Sequence, residues 1–206
     1  MKLGLLTAPF EDTPLNDVAD WAGQNGFSAF EVACWPASGS EKRRYAGTSH
    51  INVDGLTKTL GDDIKGGLAE RGIEISGLGY YPNPLHADAD HRDEVNGHLK
   101  KVITAAGTMG ISVVNTFLGG DRALNVDENW ARAQDLFAPI VNHAKDVGVT
   151  LCFENCPMIF SNDEWPGGHN IAYSPKIWRR IFEEWDEDVG MNFDPSHLIW
   201  QFIDQT

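Results

Sequence analysis

The chain has 206 residues, 30 acidic against 16 basic side chains, and a formal charge of −14. That length supports one sizeable hydrophobic core, and that charge repels nucleic acid and anionic membrane surfaces. No apolar run reaches the roughly 18 residues that a membrane span needs. The opening MKLGLLTAPF passes at once into acidic sequence, as a first strand does and a signal peptide does not. Three cysteines, Cys34, Cys152 and Cys156, cannot all pair and none lies in a CxxC, so the expected setting is a reducing cytoplasm.

Short apolar runs alternate with amphipathic stretches along the chain. The first predicted strand is Leu3–Thr7. Thr13-Pro14 then reads as a cap followed by proline in the first helical turn, with Leu15, Val18, Trp21 and Ala22 on one face and Gly26 at the end. Strand two is Ala29–Cys34, and a polar loop follows from Pro36 to His50. A helix with Leu56, Leu60, Ile64 and Leu68 on one side closes at Gly72. Strand three is Ile73–Leu78, continuing toward Tyr80 and Tyr81. A loop from Pro82 to Asp90 precedes a helix with Val95, Leu99, Val102 and Ala106 in register.

Strand four, Ile111–Phe117, leads into Gly119-Gly120. Asn125 and Glu128 have capping-box spacing, ahead of a helix lined by Trp130, Ala133, Phe137, Ile140, Val141 and Ala144. Strand five is Val149–Phe153. A long loop from Cys156 to Tyr173 ends at Ser174-Pro175, another cap-plus-proline start, and the next helix face is Ile177, Trp178, Ile181, Phe182 and Trp185. Strand six is Val189–Phe193, and Ile199–Asp204 reads as the start of a further helix.

These are six βα-type units. Their strands are continuous apolar runs, as expected for a parallel sheet covered on both faces. An open doubly wound sheet and a barrel both satisfy the pattern. The long connections follow strands two, three and five, at the C-terminal ends where both architectures bind ligands. Strand one ends in Thr7-Ala8-Pro9 without GxGxxG or GxxxxGK[ST], which weighs against a nucleotide-binding open sheet.

Two apolar runs end in acids: VTLCFEN places Glu154 at its tip, and VGMNFDPSHL places Asp194 where the strand gives way, with His197 three residues on. A carboxylate at the end of a buried strand is paired, neutral or on a metal. Two carboxylates and an imidazole fit part of a site for Mn²⁺, Mg²⁺, Co²⁺ or Zn²⁺. The plainer alternatives are that Glu154 accepts from loop amides, Asp194 caps the turn at Pro195-Ser196, and His197 is a surface histidine. Glu31, a charge inside AFEVACW, reads as a substrate contact or an ion-pair partner. Trp35, Tyr80, Tyr81 and Phe117 near strand ends read as walls of a sugar-sized pocket or as core. Asn155 reads as orienting a ligand or a loop, His86 and His91 as a solvated loop, and Cys156 as structural.

The stretches TLCFEN at 150–155 and NFDPSHLIWQ at 192–201, with AxxxGI and AxxxGV entering strands four and five, resemble the sugar isomerase and epimerase superfamily built on the xylose-isomerase-like TIM barrel. The resemblance implies an α/β fold, a (β/α)8 TIM barrel of which the 206 residues supply about six units, as a single domain incomplete at its C-terminus. It implies one divalent cation held by Glu154 and Asp194, with His197 against substrate. The family's further ligands, a histidine after strand seven and a glutamate after strand eight, have no counterpart here.

The implied activity is isomerisation or epimerisation of a sugar or sugar phosphate, moving a proton through a metal-stabilised enediolate, with Glu154 and His197 catalytic. His197, Glu31, Trp35, Tyr81 and Asn155 are the substrate-contact candidates. A dehydratase of a polyol or keto-acid and a non-catalytic metabolite binder are the alternatives. The expected partner is a small sugar or polyol. Membrane is excluded, and so is nucleic acid: GLGYYP and VVNTFLG lack the histidines of the family's DNA-repair branch. A homo-oligomer that covers the edge strands is a further reading.

Overall fold

Each apolar run becomes a short strand and each amphipathic run a helix, in the order β1 (Gly4–Leu6), α1 (Leu15–Gln24), β2 (Ala29–Ala33), α2 (Lys58–Ala69), β3 (Glu74–Gly79), α3 (Ala89–Met109), β4 (Val113–Thr116), α4 (Val126–Asp146), β5 (Thr150–Glu154), α5 (Pro175–Trp185), β6 (Val189–Asn192) and α6 (Pro195–Ile203). The structure, a computed structural model, describes residues 2–37, 46–161 and 168–203, without the side chains of Trp200, Phe202 and Ile203. Parts of three expected segments, residues 38–45, 162–167 and 204, lie outside the described residues. The strand order is β1-β2-β3-β4-β5-β6, with parallel pairing at β1–β2, β2–β3 and β5–β6. This is the β/α alternation of a TIM barrel.

The chain divides into two compact units, and the division passes through α3 and β4. The first holds Met1–Tyr80, Lys101–Val114 and Val147–Val149. Its strands bury Phe30, Val32 and Leu78, and its α1 buries Val18, Ala19 and Ala22. Thr7 ties β1 to β2: its hydroxyl accepts from the Ala33 N–H at 2.9 Å. Helix α1 starts one residue later than expected. Pro14 takes the cap position and no side chain caps the helix, so Thr13 does not have the capping role that Thr-Pro suggests. Trp21 also departs from expectation, being 49% exposed and stacked on Phe27 instead of entering the core. Leu60 is likewise exposed while Leu68 is buried.

The second unit holds Tyr81–Lys100, Asn115–Asp146 and Thr150–Thr206. The capping box forms: Asn125 Oδ1 accepts from the Glu128 N–H at 3.0 Å, and Glu128 Oε2 accepts from the Asn125 N–H at 2.9 Å. Helix α4 then buries Ala133, Phe137, Ile140, Val141 and Ala144. Phe137 meets Phe153 of β5 edge-on at 5.1 Å, and Trp185 of α5 lies 5.9 Å from Phe153. Aromatic pairs at such distances add about 0.5–1.5 kcal/mol beyond buried area. Gly190 lets β6 approach β5: a Cβ there would lie 2.7 Å from Cys152 Sγ. Ser174 is the cap residue of α5, with proline after it, but its hydroxyl makes no capping bond. Phe182 stays exposed, and Phe193 falls just beyond β6 and is 52% exposed.

Candidate functional site

The site begins with register. β5 and β6 pair in parallel with Glu154 opposite Asn192, so the residues after each strand leave side by side. Asn155 extends this pairing by one step. Its Nδ2 donates to the Asp194 carbonyl at 2.9 Å and its Oδ1 accepts from the Asp194 N–H at 2.7 Å. Asn155 is wholly buried and both ends of its amide are engaged, so it positions Asp194.

Asp194 opens α6, whose first residue is proline, a residue favoured at that place. Its Oδ1 accepts from the Ser196 N–H at 2.8 Å, so it caps the turn as one sequence alternative has it. One helical turn further, His197 returns to the same side. Its Nε2 lies 3.3 Å from Glu154 Oε1 and 3.4 Å from Asp194 Oδ2. The side chains of Glu154 and His197 are each 17% exposed, and that of Asp194 is 43% exposed. Capping and facing the histidine are therefore performed by the two oxygens of one carboxylate.

A second buried asparagine fixes the other wall. Asn170 Nδ2 donates to the carbonyls of Glu154 at 3.0 Å and Cys156 at 2.6 Å, while its Oδ1 accepts from the N–H groups of Gly119 and Ala172. Glu154, Cys156 and His197 each offer one ligand atom, and these atoms all lie within 4.8 Å of one another. A group of this composition can hold a metal ion.

Charge in this group is uneven. Burial opposes a charge on His197, yet the Cys156 sulfur, the Glu154 carboxylate and the Asp194 charge outweigh it and push the imidazole up to about 10. Burial also acts against the Asp194 charge, but the Ser196 hydroxyl and N–H and the facing His197 hold the carboxyl below its usual range. With the imidazole neutral, the donor set of Glu154 oxygen, His197 nitrogen and Cys156 sulfur fits a divalent transition metal.

Of the residues singled out in the sequence, Glu154, Asn155, Asp194 and His197 come together here. Tyr81 is buried in the same unit, where its hydroxyl accepts from Asn192 Nδ2 at 2.7 Å and its ring meets Phe117 at 5.2 Å. Glu31 and Trp35 belong to the first unit: Glu31 is half-buried in β2, and Trp35 is buried edge-on against Tyr80 at 4.9 Å. His86 and His91 pair edge-on at 4.6 Å beside exposed Asp88. Sequence reasoning missed Cys156 and Asn170. The two-residue period of an extended chain points Glu154 and Cys156 the same way, a signal that was available. Asn170 reaches back 16 residues to Glu154 across a loop and leaves no local signal.

The sequence profile described as the xylose isomerase-like TIM barrel matches residues 19–206. The chain belongs to that family. A curated relative, the uncharacterized protein YfiH of Bacillus subtilis (strain 168), is 24% identical over 233 residues, covering 99% of this chain and 67% of that protein. Among solved structures, the fold is similar to that of the probable 3-DHS dehydratase AsbF involved in petrobactin synthesis from Bacillus anthracis, with a TM-score of 0.69, 15% identity, and coverage of 98% and 66% of the two chains. It is also similar to that of D-psicose 3-epimerase with D-tagatose from Clostridium cellulolyticum H10, with a TM-score of 0.65, 16% identity, and coverage of 97% and 65%. A putative xylose isomerase from Rhodospirillum rubrum ATCC 11170 gives 0.69, 17%, and 96% and 67%. The chain spans about two thirds of the length of these relatives. At these identities the solved structures speak for the fold, and the family membership rests on the profile.

Proposed function

We propose that this chain is the metal-binding part of a sugar or sugar-phosphate isomerase or epimerase that depends on one divalent cation. The observation that supports it is the approach of Glu154 Oε1 and Asp194 Oδ2 to one nitrogen, at 3.3 and 3.4 Å, from the ends of adjacent strands. Glu154 and Asp194 would hold the cation. When bound, it would polarise a substrate carbonyl and stabilise negative charge developing on oxygen.

The chain's own residues would do the rest. Glu154 takes the proton from the carbon beside the carbonyl, a role that requires a carboxylate about 3 Å from that carbon. His197 would donate toward a substrate oxygen and favour charge there. Asn155 keeps Asp194 aimed, and Asn170 keeps Glu154 aimed. Tyr81, in the same unit, is proposed to contact substrate. A sugar-sized solute is the proposed partner; the charge of −14 argues against nucleic acid, and Cys34, Cys152 and Cys156, none of them in a disulfide, suit a cytoplasmic setting. No helix among the described residues is long and apolar enough to cross a membrane.

The test is incubation with a panel of free and phosphorylated ketoses in D₂O with Mn²⁺, followed by NMR. Deuterium entering beside the carbonyl, and lost in Glu154→Gln, is the expected result. Elimination of water from a polyol or keto-acid in the same assay would move the reading to a dehydratase. Neither exchange nor elimination from any substrate would overturn it.

A further inference from the structure

We infer that Cys156 supplies a thiolate ligand to the cation at this site, which makes the site favour zinc-like metals over magnesium. The inference rests on the reading that Glu154 and Asp194 hold a cation, and it adds the ligand that decides which cation.

Three observations carry it. The first is position: Cys156 Sγ shares a 4.8 Å group with a Glu154 carboxylate oxygen and a His197 ring nitrogen. The second is what fixes that position. One amide group of buried Asn170 holds the carbonyls of both Glu154 and Cys156, so the two residues keep the same facing as i and i+2 of an extended segment. The third is what surrounds the sulfur. The Met158 N–H donates to Sγ at 3.4 Å, from a residue held at φ 52°. Cys156 is half-exposed, whereas Cys34 and Cys152 are buried, so of the three thiols it has the most open exchange with solvent.

The step is a ligand exchange without redox change. The Cys156 S–H bond breaks, its proton leaves to solvent, and a sulfur–metal bond forms. Thiolate is a soft ligand that selects zinc, cobalt(II) or iron(II); an oxygen-only site would suit magnesium or manganese.

The experiment titrates metal-stripped wild type and Cys156→Ser with Co²⁺ and follows the absorption spectrum. In wild type, visible d–d bands are expected together with a near-ultraviolet sulfur-to-cobalt charge-transfer band. In Cys156→Ser the charge-transfer band is expected to vanish while the d–d bands persist. Zinc affinity by competition with a chelating dye should fall roughly 10- to 100-fold, a range seen even for second-shell metal partners, with magnesium affinity little changed. Cobalt d–d bands in wild type without charge transfer would overturn the sulfur ligand and leave the cation reading intact. Absence of any cobalt binding in wild type would overturn both. Should Cys156→Ser fail to fold, Cys34→Ala/Cys152→Ala decides: retention of the charge-transfer band supports Cys156 as its source, and loss overturns it.

Discussion

β2 runs AFEVA into Cys34, and β5 runs TLCFE into Asn155 and Cys156, so each strand carries a glutamate and is followed closely by a cysteine. Their environments diverge. Cys34 is wholly buried; burial pushes its thiol far above the usual range, and the nearby Glu31 charge adds to the shift. Its sulfur has a backbone carbonyl, that of Val32, at 3.5 Å. Cys156 is half-exposed, receives an amide N–H, and sits with a carboxylate and an imidazole. Spacing explains much of this. Glu31 and Cys34 are three positions apart and Glu154 and Cys156 two, and only an even spacing puts two side chains on one side of an extended chain. The same two residue types thus lie around a wholly buried thiol in one place and in a group that could hold a metal in another.

The largest test of this contrast is the pair of glutamates. Glu154→Gln is expected to lower exchange of substrate hydrogen with D₂O by about 10²- to 10⁴-fold, the usual weight of a positioned acid–base group, and to weaken cation binding measured by calorimetry. Glu31→Gln is expected to leave cation affinity unchanged. Equal effects of the two would erase the distinction between the strand ends.

Next is the clamp that only β5 possesses. Asn170→Ala leaves the Gly119 and Ala172 N–H groups and the Glu154 and Cys156 carbonyls without their side-chain partner. Buried groups so orphaned predict a loss of about 2–4 kcal/mol in urea unfolding. A loss within 0.5 kcal/mol, a typical surface effect, would mean that the loop holds its shape without Asn170.

Thiol labelling sharpens the comparison further. In native protein without metal, iodoacetamide should modify Cys156 at least about tenfold faster than Cys34, because reactivity follows thiolate character and access; mass spectrometry of the digested protein reads it. Zinc should protect Cys156 and leave Cys34 unaltered.

The smallest effect is a pH dependence. A raised folded pKa for Cys34 means that the unfolded chain releases the thiol proton first as pH rises past the ordinary value of 9.0. Stability from this group is therefore complete below that pH and declines above it. Cys34→Ala should flatten that decline in denaturant unfolding compared at pH 8 and at about pH 10. An unchanged slope would show that Cys34 is not kept neutral by its surroundings.

Several of these features were legible before any coordinates. Val95, Leu99, Val102 and Ala106 are buried as their spacing predicts, and the Asn125–Glu128 capping box forms. Trp21, Leu60 and Phe182 were misplaced because periodicity marks an apolar stripe without saying which edge of it a neighbour covers. Thr13 does not cap because Pro14 itself takes the cap position. In the site, Glu154 and Asp194 stood out as acids closing apolar runs, and the separation of three marked His197 as a neighbour of Asp194. Cys156 reads as structural in the sequence, although its spacing of two from Glu154 places both on one side of an extended chain.

Sequence alone determined which side chains stand at strand ends, because the order and period of apolar runs dictate where strands stop and which way residues face. Tertiary structure decided which of those side chains meet. The register of β5 on β6 is a long-range pairing, and a slip of one residue would turn Glu154 or Asp194 to the opposite face. The asparagines that hold this arrangement act across 39 and 16 residues of chain, distances over which no local pattern carries information.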